Sequence, residues 1–125
     1  MNYFDPAGSY TRVTLLAPAN VTATGNGSGV DMLNYAGNAL LVLTCPAGTG
    51  TSPTLDLKVQ DSADNSTFAD VTNASFTQVT TSASVQDLTL KLGACARYIR
   101  IVKTVGGTDP SFYPTVIAVC AKEQI

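Results

Sequence analysis

The sequence predicts an all-β fold: a single antiparallel β-sandwich, jelly-roll-like, of about eight strands. Three observations predict it. Residues 54–68, TLDLKVQDSADNSTF, read as a strand, a polar turn and a strand restart. Residues 96–107, ARYIRIVKTVGG, read as a further strand with a basic, aromatic face that ends in a glycine pair. The chain is also rich in Thr, Val, Ala, Ser and Gly, with only 13% charged residues. Branching at Cβ restricts side-chain rotamers in a helix and suits a pleated, half-buried surface.

Tyr10–Leu16 is the first expected strand. Residues 17–29 carry Pro18, Asn20, Gly25, Asn26, Gly27 and Gly29 and read as a loop. The glycine spacing at 25–29 resembles a phosphate-binding loop only superficially, because no strand–loop–helix context surrounds it. Residues 32–35 suit a short strand. Residues 39–45, ALLVLTC, form a continuous apolar run expected to be buried on both faces. Residues 46–53 then break the chain, with Gly48, Gly50 and Pro53 as punctuation.

Residues 54–60 alternate. Leu55, Leu57 and Val59 share one face, and Asp56, Lys58 and Gln60 share the other. Residues 61–66 are a turn whose Asp, Ser and Asn side chains can bond nearby amides. Phe68 and Val71 resume burial, and residues 76–80 suit another short strand. In residues 85–92, Leu88, Leu90 and Leu92 oppose Thr89 and Lys91. A helical turn fits near residues 93–96. In residues 98–103, Ile99 and Ile101 oppose Tyr98, Arg100 and Val102. Gly106 and Gly107 read as a turn, extended through residue 110, and residues 113–121 as the last strand.

At 125 residues the chain is long enough for one domain with its own core. A net charge of −2 gives no electrostatic drive toward nucleic acid or anionic lipid. The polar start, MNYFDPAGSYTRV, lacks the apolar segment of a secretory signal, and no run is long enough to cross a bilayer. Read as a native start, it predicts synthesis and assembly in the cytoplasm. Cys45, Cys95 and Cys120 cannot all pair within one chain. They are expected to be buried thiols, with one disulfide between strands as the alternative.

No catalytic constellation is evident. The sequence contains no histidine, which removes Ser-His-Asp and Cys-His arrangements. Asp56, Asp61, Asp64 and Asp70 could in principle work as paired acids or hold calcium. Their positions on a solvated face and in a turn favour structural roles, and DSADNS lacks the glycine and distal glutamate of a calcium loop. Arg97, Tyr98 and Arg100 could contact phosphate or sugar; packing and pairing with neighbouring strands is the stronger expectation. Sequons at Asn20, Asn26, Asn65 and Asn73 point only to surface loops. No enzyme activity, cofactor, metal or small-molecule substrate is expected.

The order LDLKVQDSADNSTFADV, SFTQVT, ARYIRIVKTVGGTDPSF and a final apolar strand resembles the capsid decoration, or cement, proteins of tailed bacteriophages, over residues 21–119. The resemblance implies a virion structural protein, assembled in the host cytoplasm and placed on the capsid surface against the major capsid protein. It also implies a homotrimer. The strand-turn-strand S-x-D-x-x-x-F followed by RYIR is also similar to discoidin-like, carbohydrate-binding sandwiches. A sugar-binding module, or a head-fibre or tail component, is therefore the alternative. The absence of Trp weakens the sugar reading, since stacking on sugars relies on such rings.

Within the decoration reading, residues 1–12 are expected to be an arm and residues 13–125 the sandwich. Tyr3, Phe4, Tyr10 and Arg12 are the expected partner-binding residues, because large apolar groups at a chain end mark partner sites. An arm folded back on its own sandwich is the alternative.

Overall fold

The computed structural model describes residues 10–122. Nine strands run through them: β1 Tyr10–Leu16, β2 Gly25–Asn26, β3 Val30–Asp31, β4 Tyr35–Cys45, β5 Thr49–Ser62, β6 Ala69–Ser75, β7 Ser84–Lys91, β8 Tyr98–Ser111 and β9 Thr115–Lys122. A 3-10 turn at Leu92–Ala94 lies where a helical turn was expected, one residue earlier. All strand pairings are antiparallel.

One sheet has the order β1-β9-β4-β7, and the other β2-β8-β5-β6 with β3 also on β8. β2 and β3 act as one interrupted strand. Asn26 pairs with Val102, the Gly27 N–H donates to the Ile101 carbonyl at 2.7 Å, and Val30 pairs with Ile99. Counted so, eight strands cross between the two sheets at every connection except the β5–β6 hairpin, which is the jelly-roll order.

The alternation of side chains builds the core. Leu55, Leu57 and Val59 of β5 and Ile99 and Ile101 of β8 point inward. Leu41 and Leu43 of β4 and Val116 and Ala118 of β9 face them from the other sheet. Each side chain the size of Leu or Ile buried in this way contributes about 1.5–3 kcal/mol. Cys45 and Cys120 are buried, Cys95 is half-buried, and all three are free thiols. Burial pushes each thiol's pKa up.

One end of the sandwich is plugged. Phe112 is fully buried there and exchanges backbone hydrogen bonds with Val21 at 2.7 and 3.0 Å. A Cβ on Gly48 would run into the Phe112 ring and the Thr80 carbonyl, so only glycine fits. Val79, also buried, exchanges backbone hydrogen bonds with Leu55, each at 2.9 Å.

Several expectations are corrected. Residues 46–53 do not break the chain beyond a short link, because β5 starts at Thr49 and carries Pro53 within it. Gly106 and Gly107 lie inside β8 rather than in a turn. Both strands bulge here, with register shifts around Thr51 and positive φ at Gly50, Ser52, Gly107 and Asp109. Bulges admit glycine into a strand interior that sequence punctuation assigns to a loop. Residues 32–34 are not strand; Asp31 accepts the Leu33 N–H at 3.0 Å, and the chain turns into β4. β6 was expected only as renewed burial, and residues 76–80 form isolated bridging contacts rather than a strand. The end of the expected arm, residues 10–12, belongs to strand β1; residues 1–9 lie outside the described residues.

Replacing Leu57 or Ile101 by Ala should cost about 2–4 kcal/mol through the cavity left behind. Urea unfolding of both variants measures it; unchanged midpoints would contradict the inward facing of β5 and β8.

Candidate functional site

The two sheets present different outer faces. On the five-stranded sheet, Lys58 Nζ lies 3.0 Å from Asp70 Oδ1. Gln60 Nε2 donates to the same carboxylate at 2.8 Å. Arg100 donates to Gln60 Oε1 at 2.7 and 3.0 Å, and its guanidinium stacks 3.9 Å from the centre of the Phe68 ring. Asp56 accepts from Gln78. Arg97 forms a two-pronged pair with Asp31 at 2.7 and 2.9 Å, beside the Tyr98 ring. The basic and aromatic residues expected around RYIR are thus occupied within the chain. On this face Lys58–Asp70 and Arg97–Asp31 are ion pairs, and Arg100 and Asp56 are bonded to glutamine side chains.

The acids of the polar turn are occupied too. Asp64 accepts the Ser66 and Thr67 N–H groups, each at 2.9 Å, and the Ser62 hydroxyl at 2.9 Å. These donors hold its carboxyl below the usual range, with Thr67 the largest contributor. Asp61 Oδ2 accepts the Ala96 N–H at 2.9 Å and ties the turn before β8 to β5. Asp70 is held below its ordinary pKa by Gln60 and then Lys58. Among the described residues no group of three or more Cys, Asp or Glu is gathered to hold a metal ion. No buried side-chain nitrogen or oxygen among them lacks a partner.

The outer face of the β1-β9-β4-β7 sheet is different. The run ALLVLTC was expected to be buried on both sides. In the structure Leu41 and Leu43 are fully buried, whereas Leu40 is 42% exposed and Val42 is partly exposed. Register places these outward residues in two level rows. One row runs Arg12, Val119, Leu40, Thr89, and the other Thr14, Ile117, Val42, Asp87. Each row is apolar in its two middle strands and polar at both edges. Threonines 44 and 115 and the largely exposed Val85 extend the face on one side.

Tyr10 and Lys91 bound the other side. Here β4 bulges between Ala36 and Leu40, with Gly37 at φ 76°. The bulge opens a shallow groove of about 390 Å³ lined by Tyr10, Asn38, Ala39, Leu40, Thr89 and Val119.

Of the four expected partner-binding residues, Tyr10 and Arg12 lie on this outer face, at its β1 edge. Tyr3 and Phe4 lie outside the described residues. Leu40, Val42, Ile117 and Val119 were missed as surface residues. Their signal was available: an apolar run that alternates with fully buried neighbours must present every second residue outward.

The lowered carboxyl pKa of Asp64 sets a pH dependence. A group with a depressed folded pKa stabilises the fold above its unfolded value of about 3.9 and loses that contribution as pH falls through the folded value. Asp31 and Asp70 act in the same direction. Stability should therefore decline from about pH 4 downward, and Asp64→Ala should flatten that decline. Urea titrations across the acid range measure it; an identical slope in the variant would contradict the role given to the turn.

Neither a protein-family model nor a curated protein matches the chain.

Proposed function

We propose that this chain is a non-enzymatic structural protein of a phage virion, a decoration or cement protein bound to the major capsid protein. One observation carries the reading. A jelly roll with a plugged end and a self-paired polar face leaves its other sheet face apolar and accessible. Contiguous apolar surface rimmed by polar residues marks a protein contact site. The stiffness of the sandwich suits a part that must resist deformation of a shell.

The fold alone does not select this function, since jelly rolls serve capsid and lectin domains alike. The local chemistry supports adhesion over catalysis. The sequence lacks histidine, and Asp31, Asp56, Asp61, Asp64 and Asp70 each hold a structural hydrogen bond. The capsid contact uses the β1 edge, where Tyr10 and Arg12 sit and from which residues 1–9, with Tyr3 and Phe4, extend the chain.

Purified protein mixed with empty phage heads should co-sediment and saturate. Removing residues 1–9 should leave the β-type circular dichroism intact and lower occupancy on heads. Equal occupancy of the shortened chain would contradict the edge contact. Failure to bind any head, together with saturable binding to a glycan array, would overturn the virion reading.

A further inference from the structure

We propose that the outer face of the β1-β9-β4-β7 sheet is the interface of a two-fold symmetric dimer, its occupant a second copy of this chain. The face is complementary to itself. A two-fold axis that lies in the interface, parallel to the strands and midway between β9 and β4, lays β9 of one copy over β4 of the other. It also lays β1 over β7. Because strand register makes the rows level, Val119 then meets the second copy's Leu40, and Ile117 meets its Val42. Each apolar contact occurs twice, as a self-complementary patch requires. Aligned packing of two sheets is an ordinary way to bury such faces.

The edges add charge complementarity. Arg12 stands on β1 and Asp87 on β7, at opposite margins of one face. The same axis turns the Arg12 edge of each copy toward the Asp87 edge of the other. Arg12 is level with Thr89, so Asp87 lies one two-residue step away, roughly 7 Å along the strand. A guanidinium on a long side chain spans that step. Lys91 lies one step in the opposite direction, and the ring beside it in the dimer is Tyr10 of the other copy, where a cation is accommodated. The opposite stacking, β1 on β1, would bring the two Arg12 edges together and the two Asp87 edges together.

The size of the face sets the expected strength. Four strands about 4.8 Å apart and some eight residues long cover roughly 500 Å² per copy. About 1,000 Å² in total sits at the low end of specific interfaces, so the dimer is reversible, with dissociation in the micromolar range. This inference does not rest on the capsid reading, because the test uses the full chain alone. The dimer buries the same face and the same Tyr10 and Arg12 edge that the capsid contact uses, so it is the form free in solution, and a capsid displaces the second copy. The dimer differs from the trimer that the family resemblance implies.

Sedimentation equilibrium of the full chain from about 1 to about 500 µM decides the matter. A shift from one to two copies of the 12.9 kDa chain is expected. Arg12→Asp should weaken dimerisation at least about tenfold, and Arg12→Asp with Asp87→Arg should restore it to within about threefold. Leu40→Asp, or the milder Leu40→Thr should the first fail to fold, should leave a monomer with an unchanged circular dichroism spectrum. A monomer throughout, a trimer, a dimer indifferent to both Leu40 variants, or a charge swap without restoration would each overturn the proposal.

Discussion

The structure depends on one constraint: the side chains of its long strands alternate, so each sheet has one face that must leave water. Leu55, Leu57 and Val59 on β5 and Leu41 and Leu43 on β4 meet that constraint from opposite layers. The longest pairing, β5 with β8, continues over fourteen residues of each strand despite the bulges near Gly50 and Gly107. Loops then adapt to the sandwich, as the burial of Phe112 against Gly48 and Val21 shows.

The same constraint governs the outer faces, where burial no longer dictates the residue type. On the five-stranded sheet the outward positions include Lys58, Gln60 and Arg100, which form a bonded network with Asp70, beside Tyr98 and a single partly buried Val102. Exposed pairs of this kind contribute little stability, so the network is better understood as keeping polar groups satisfied and the surface wettable. On the four-stranded sheet the outward positions are Leu40, Val42, Ile117 and Val119, which gain nothing from water. The folded chain alone does not need them to be apolar. In the proposed reading a partner does, and it is on this difference between two faces that the reading stands.

Much of the fold was legible because its signals are local. Period-two patterns in residues 54–60, 85–92 and 98–103 assign inward and outward faces correctly. Asp64 behaves as the turn-former its position suggested. What was not legible depends on distant pairing. Pro53, Gly106 and Gly107 look like breakers until the opposite strand bulges to match them. β2 and β3 are two-residue fragments that exist only because β8 runs beside them. The candidate site was half visible: Tyr10 and Arg12 stood out as unplaced residues near a chain end. The apolar rows did not, because an unbroken run such as ALLVLTC hides its own alternation until one side is known to face the core.

Thiol labelling at adjacent positions of β4 tests the central claim most directly, with Cys95 replaced by Ser so that only buried native thiols remain. A cysteine at position 40 should label rapidly in dilute protein and slowly in concentrated protein, as the outer face becomes covered. A cysteine at position 41 should label slowly at every concentration. Equal rates at the two positions would contradict the division of this sheet into a core face and an adhesive face. So would a rate at position 40 that ignores concentration.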